Sequence, residues 1–266
     1  MLTVRRYWTA LWYQILPNAC VGCAIPLTWT RQPFFCDACI DRLPLLGDPR
    51  CPRCGAPFVS PVALTHSPRH QCGRCRTDTP SFERAWAPFV FDGAIREAIH
   101  RFKYRKTLAL GNVLGRLLAE RLPQSLTADV VIPVPLAPSR LREREFNQAL
   151  FLALAVGERL GCPVDDAALE RSEGGAPQTG LSRRARLRNL RRRFRVVDTN
   201  ALRGKRILLV DDVFTTGTTA NECAKGLRKA GSGQVSVVTL ARAVDSTAVT
   251  RPTHSMPSGS DLRRSG

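Results

Sequence analysis

Arg206 to Ala220 reads RILLVDDVFTTGTTA. Ile207 to Val210 is a continuous apolar run, the pattern of a parallel strand buried on both faces. Asp211 and Asp212 follow at the expected carboxyl end of that strand. A turn rich in Thr and Gly comes next, made of Thr215, Thr216, Gly217, Thr218 and Thr219. Ala220 to Ala230 then reads as a helix with Cys223, Leu227 and Ala230 on one face. This order of parts suits a sugar phosphate. N–H groups at a helix start lack intrahelical partners and favour an anion. Gly217 lets the backbone approach that anion, and the threonine hydroxyls add donors. A carboxylate pair suits ribose hydroxyls, or a Mg²⁺ held between ribose and pyrophosphate. An ordinary strand-to-helix turn with threonine caps needs no two adjacent carboxylates.

The stretch resembles the phosphoribosyl pyrophosphate (PRPP) motif of type I phosphoribosyltransferases. That resemblance implies that Asp211 and Asp212 bind the ribose 2′ and 3′ hydroxyls. It also implies that Thr215, Thr216, Gly217, Thr218 and Thr219 hold the 5-phosphate.

The chain has 266 residues, enough for a sizeable core and one or two domains. Its formal net charge is +18, which points to acidic partners, either nucleic acid or phosphorylated substrates. No run approaches ~20 apolar residues, so no membrane insertion is expected. Residues 8–16 are apolar but short, and no small-residue cleavage site follows. A cytoplasmic location is expected, where thiols stay reduced and C-x-x-C pairs favour metal over disulfide.

Eight of the ten cysteines form four such pairs before residue 76. Cys20 and Cys23 are followed after twelve residues by Cys36 and Cys39; Cys51 and Cys54 are followed after seventeen by Cys72 and Cys75. Each set has the spacing of a structural zinc ribbon, and four thiolates leave no open position on the metal. One or two structural Zn²⁺ ions are expected, with a cross-braced pairing of the sets left open. With little apolar core in this module, metal binding would supply much of its folding free energy.

In chain order, residues 1–17 read as an amphipathic helix ended by Pro17, residues 18–79 as the cysteine module and residues 80–245 as an α/β domain. Residues 246–266 lose periodicity and are expected to be disordered. Within the α/β domain, Ala85 to Phe91 reads as a strand, and Ile95 to Phe102 and Leu108 to Leu122 as helices. Lys103 and Tyr104 lie in a basic cluster that could grip phosphate or stack a base. Val130 to Val134 reads as a strand running into prolines. Arg140, Arg142 and Arg144 begin a helix expected to continue to Leu160, and Val164 to Leu169 reads as a further strand. Gln234 to Ala241 is the last one. Between residues 173 and 195 lie Arg183, Arg186, Arg188, Arg191, Arg192 and Arg193. Such a cationic loop could close over a pyrophosphate or grip a nucleic-acid backbone.

The whole series of motifs is similar to the ComF family. The residues that carry it are the N-terminal C-x-x-C pairs, Lys103-Tyr104, and Ile132 to Leu136 with Arg140. Arg144-x-Phe146-Asn147-Gln148-Ala149, Gln178 to Arg183 with Arg186 and Asn189, and Leu209 to Thr219 complete it. The resemblance implies a zinc-binding head on a type I phosphoribosyltransferase-like domain, a parallel sheet flanked by helices. It implies PRPP with Mg²⁺ as ligand, with Lys103, Arg140 and Arg183 or Arg186 as candidates for pyrophosphate contact. It further implies a role in natural transformation, handling single-stranded DNA beside a helicase-like partner. Ala185 and Arg192 depart from the family pattern and make the loop more basic. Two functions therefore stand open: phosphoribosyl transfer to an acceptor, or a binding module for single-stranded DNA on the same fold.

Overall fold

The computed structural model describes residues 19–27, 30–58, 60, 67, 69–173 and 194–244. The helix expected over residues 1–17 and the tail expected from residue 246 lie outside these residues. The cysteine-rich segment carries two short helices, α1 (Asp37–Asp41) and α2 (Gly73–Thr77). The chain continues through β1 (Arg84–Trp86), β2 (Phe89–Val90), α3 (Gly93–Tyr104), α4 (Leu108–Ala119) and β3 (Val130–Pro133). Next come α5 (Pro138–Arg144), α6 (Gln148–Leu160) and β4 (Leu169–Arg171). The last elements are β5 (Phe194–Val196), β6 (Ile207–Phe214), α7 (Thr218–Lys229) and β7 (Val235–Arg242).

The main sheet is parallel throughout. Both β1 and β2 pair with β7, β7 pairs with β6, and β6 pairs with β3. Period-2 alternation along the strands divides the core in two. Leu208 and Val210 of β6 face one side, where they pack with α3, α4 and α6 through Phe102, Leu114 and Leu152. Ile207 and Leu209 face the other, against Ala220, Cys223 and Leu227 of α7. Close approach of α4 to α6 depends on Gly115, whose missing Cβ would sit 2.9 Å from the Ala155 side chain.

Several expected elements differ in extent, each for a local reason. The strand expected over residues 85–91 is split, because Pro88 has no N–H to give the ladder. The long helix expected from Arg140 to Leu160 is two helices. Glu145 takes a left-handed φ of 68°, and Asn147 then caps α6 by accepting from the Ala149 N–H at 3.1 Å. The strand expected over residues 164–169 is a single bridge at Val164 beside β3, and Leu169 belongs to a separate antiparallel pair, β4–β5. Strand β6 runs past its apolar half to Phe214, so both aspartates lie within it rather than beyond its end.

The two cysteine segments dock on opposite faces of this sheet. Val21, Phe35 and Leu43 of the first join the α3/α4/α6 core. Cys51, Cys54 and Cys75 of the second join the α7 core. Backbone bonds fasten both to the β1–β2 edge: Val90 donates to Pro44 at 2.7 Å, Leu46 to Pro88 at 2.8 Å and Ala85 to Arg53 at 2.8 Å. Phe35 is fully buried (0 % exposed) at the first of these junctions. Phe35→Ala is expected to cost about 3–5 kcal/mol, the range for truncating a buried aromatic, in urea unfolding of the metal-loaded protein. A cost below about 1 kcal/mol would show that this segment is not welded to the sheet.

Candidate phosphate site and metal centres

Asp211 and Asp212 sit in the carboxyl-terminal half of β6, side by side and half-buried. The Asp212 N–H donates to Asp211 Oδ1 at 2.8 Å. Lys103, from the last turn of α3, reaches Asp212 Oδ2 at 2.6 Å, and both side chains are largely covered, at 18 % and 14 % exposure. Burial, and then the neighbouring charge of Asp212, push the Asp211 carboxyl up to about 7.

The threonine turn follows directly. Gly217 is the N-cap of α7, with φ of 72°. A Cβ there would run into the Phe214 ring, so glycine is required by both conformation and space. Thr218 and Thr219, expected in the turn, form the first residues of α7. Thr216 and Thr218 share a hydroxyl–hydroxyl bond of 2.9 Å. Among the described residues, the N–H groups of Thr216 and Gly217 have no hydrogen-bond acceptor. Free N–H donors, two hydroxyls and the start of a 12-residue helix make an anion seat.

The eight cysteines gather in sequence order, Cys20 with Cys23, Cys36 and Cys39, and Cys51 with Cys54, Cys72 and Cys75. Within each set all four sulfurs lie within 4.8 Å of one another. The cross-braced alternative is not what forms. The sulfurs of Cys23 and Cys36, and those of Cys54 and Cys72, are 3.7 Å apart. That matches the edge of about 3.8 Å of a tetrahedron with Zn–S bonds of about 2.3 Å. Backbone N–H groups already point at the sulfurs, from Cys36 to Cys20 at 3.3 Å and from Cys72 to Cys51 at 3.4 Å. Hydrogen bonding with Cys54 holds the Cys51 thiol down to about 4, and the same contact pushes Cys54 up. Both donor sets thus fit a closed, structural Zn²⁺ site.

A family model described as a phosphoribosyl transferase domain matches residues 146–254, and one described as a double zinc ribbon domain matches residues 11–76. The DNA utilization protein YhgH of Escherichia coli K12 is 32 % identical over 233 residues, covering 85 % of this chain and 98 % of that one. Competence protein F of Haemophilus influenzae is 34 % identical over 202 residues, covering 73 % and 85 %. The chain belongs to the ComF family.

In this ComF-family chain the other expected site residues are placed unevenly. Arg140 is exposed on α5, at the loop end of β3 beside β6. Tyr104 is 52 % exposed, with its ring 4.8 Å from His100 and under the guanidinium of Arg144 at 5.4 Å. Arg183, Arg186, Arg188, Arg191, Arg192 and Arg193 lie outside the described residues. Among the described residues no helix is long and apolar enough to cross a membrane.

Sequence reasoning missed Arg242. It ends β7, is 8 % exposed, and donates through Nη1 to the Cys54 carbonyl at 2.5 Å. Its guanidinium lies 4.6 Å from the Phe214 ring centroid. One side chain therefore touches both a ribbon cysteine and the aromatic under the phosphate turn. A charged residue closing an eight-residue run of buried strand positions was the available signal. Metal release with a thiol-blocking reagent is expected to give two Zn²⁺ per chain, and Cys51→Ala to give one. A single Zn²⁺ in the unmodified chain, or unchanged content in the variant, would contradict the assignment of two four-cysteine sites.

Proposed function

We propose that this chain binds PRPP with Mg²⁺ at the β6–α7 junction and serves DNA uptake and utilisation, handling incoming single-stranded DNA. The observation that carries it is the adjacency of a half-buried acid pair, held by Lys103, and an anion seat at the start of α7. In this reading the 5-phosphate sits on the Thr215–Thr219 turn, with the ribose hydroxyls donating to Asp211 and Asp212. Lys103 and Arg140 face the pyrophosphate, joined by Arg183 or Arg186. Asp211 and Asp212 would support Mg²⁺ as they orient the ribose, and the ion would supply neutralisation of leaving-group charge. Names that link relatives to DNA utilisation and competence support the biological setting. So does the net charge of +18, which gives salt-sensitive affinity for a polyanion. In this reading the protein works in the cytoplasm beside a helicase-like partner. Binding of PRPP is the core of the proposal; a phosphoribosyl transfer would add an acceptor.

Calorimetric titration of PRPP with Mg²⁺ into zinc-loaded protein is expected to give a Kd in the micromolar range, about −8 kcal/mol. Asp212→Ala should weaken it at least ten-fold with zinc content unchanged. Equal affinity in that variant would remove the acid pair from the site.

The acidity of Asp211 sets a pH dependence. Its folded pKa of about 7 is above the ordinary 3.8, so the carboxyl is protonated below neutrality and ionised above it. Ribose hydroxyls donate better to the ionised form. PRPP affinity should therefore rise about ten-fold between roughly pH 6 and pH 8, as the ionised fraction does. Asp211→Asn should lose this component, and comparing the two profiles cancels the titration of PRPP's own phosphate. Parallel profiles would show that Asp211 does not face the ligand. Stability runs the opposite way: the contribution of the protonated group is present at low pH and lost as pH rises through about 7.

A further inference from the structure

The phosphate turn has a second side. A cavity of about 910 Å³ opens there, between the second zinc ribbon and α7; Thr215 to Thr218 form part of its wall, and Cys54, Cys72 and Cys75 of the second metal set form another part. Asp211, Asp212 and Lys103 do not line it. It is thus a chamber distinct from the ribose side, sharing only the anion seat. Its volume is near the upper end of the roughly 300–1,000 Å³ usual for small-ligand sites.

A seat for a terminal phosphate needs no chamber behind it. This one is furnished. Lys225, from α7, and Arg74, from the ribbon, both line it, as do the acceptors Asp78 and Glu222. Phe82, Pro57 and Val244 add apolar surface. Arg242 also lines the chamber; it is buried, and among the described residues its Nε has no hydrogen-bond partner. Cations, acceptors and apolar surface together suit a nucleoside unit attached to a phosphate better than a bare polyphosphate, for which the acidic groups would be repulsive.

Direction follows from the chemistry of the ribose. With a ribose facing the acid pair, its 5′-phosphate lies on the turn. The next ester oxygen of that phosphate leads away from the ribose, and the chamber is the cavity that borders the turn without being lined by the carboxylates. We propose that the chamber seats the nucleotide unit on the 5′ side of that phosphate. The turn would then accept an internal phosphodiester of single-stranded DNA where PRPP places its 5-phosphate. This rests on the phosphate-turn assignment made above, and it makes PRPP and a DNA strand competitors for one anion seat.

The test uses the zinc-loaded full chain and three probes: PRPP with Mg²⁺, thymidine 5′-monophosphate, and the dinucleotide dTpdT, whose one phosphate is an internal diester. The dinucleotide is expected to bind at least ten-fold more tightly than the mononucleotide and to compete with PRPP. Lys225→Glu should erase that preference while PRPP affinity stays within two-fold. Arg74→Glu should act in the same direction with zinc content unchanged. Equal binding of the two thymidine probes, non-competitive binding of dTpdT, or a preference that survives both variants would overturn the assignment. PRPP binding without dinucleotide preference removes the chamber and leaves the phosphoribosyl site. Dinucleotide preference without PRPP binding does the reverse, and failure of both removes the anion seat itself.

Discussion

A buried guanidinium joins the two halves of this molecule. Burial pushes the Arg242 pKa below its ordinary value, and negative charge on Cys54, Cys72 and Cys51 opposes that push. A buried charge left uncompensated costs several kcal/mol. Arg242 is therefore stable at the end of β7 only while the second cysteine set stands beside it. The cation also lies over the Phe214 ring, and that ring fills the space that a Cβ on Gly217 would need. Metal centre, arginine, aromatic ring and phosphate turn are consecutive packed contacts with no flexible link between them. A ribbon built this way is a structural wall of the ligand site, not an appendage on a linker.

The first ribbon works differently. It meets the opposite face of the sheet through apolar packing, with Phe35, Val21 and Leu43 in the core of α3, α4 and α6. Gly22 approaches α3 so closely that a Cβ would lie 2.9 Å from that of Ala94. Since α3 delivers Lys103 to Asp212, this ribbon bears on the acid pair from one face while the other bears on the phosphate turn from the opposite face. Two small metal modules, each short of a core of its own, borrow the two faces of one sheet. Metal binding and sheet packing then stabilise each other, because each ribbon buries part of its apolar surface against the sheet domain.

Much of this was legible in the residues. The C-x-x-C spacing foretold structural metal binding by cysteine thiolates, one or two ions, because ligand spacing is a local geometric requirement. The run from Ile207 to Val210 foretold a central strand buried on both faces, because no polar residue interrupts it. What was not legible depended on contacts distant in sequence. Nothing local reveals that Arg242 would reach Cys54, or that the 3.7 Å sulfur contacts would form within each set rather than across them. The break between α5 and α6 was masked by an apolar and basic pattern that continues through it. Only Asn147, whose Nδ2 donates to the Val134 carbonyl at 3.1 Å while its Oδ1 caps α6, marks the joint. The aspartates fell inside β6 because β7 offers paired backbone as far as Arg242, which propensity along β6 alone does not encode.

The ion pair of Lys103 and Asp212 gives the site its resting order. Two carboxylates alone at a half-buried strand position would repel; here Lys103 compensates Asp212 at 2.6 Å, while burial and the charge of Asp212 push the Asp211 carboxyl up to about 7. A ribose with vicinal hydroxyls would bring two neutral donors to this pair. Those donors compete with the ammonium for the carboxylate oxygens, and an ammonium on a long flexible stem can turn without moving α3. The pyrophosphate of the same ligand offers it a better-charged partner. In the phosphoribosyl reading, Lys103 therefore exchanges a carboxylate for a diphosphate as the sugar arrives, and the ribose hydroxyls replace it as hydrogen-bond donors to the carboxylate. A strand of DNA seated on the same turn brings only its spaced monoanionic phosphates to Lys103. It must draw its affinity instead from the ribbon side, where Arg74 and Lys225 stand.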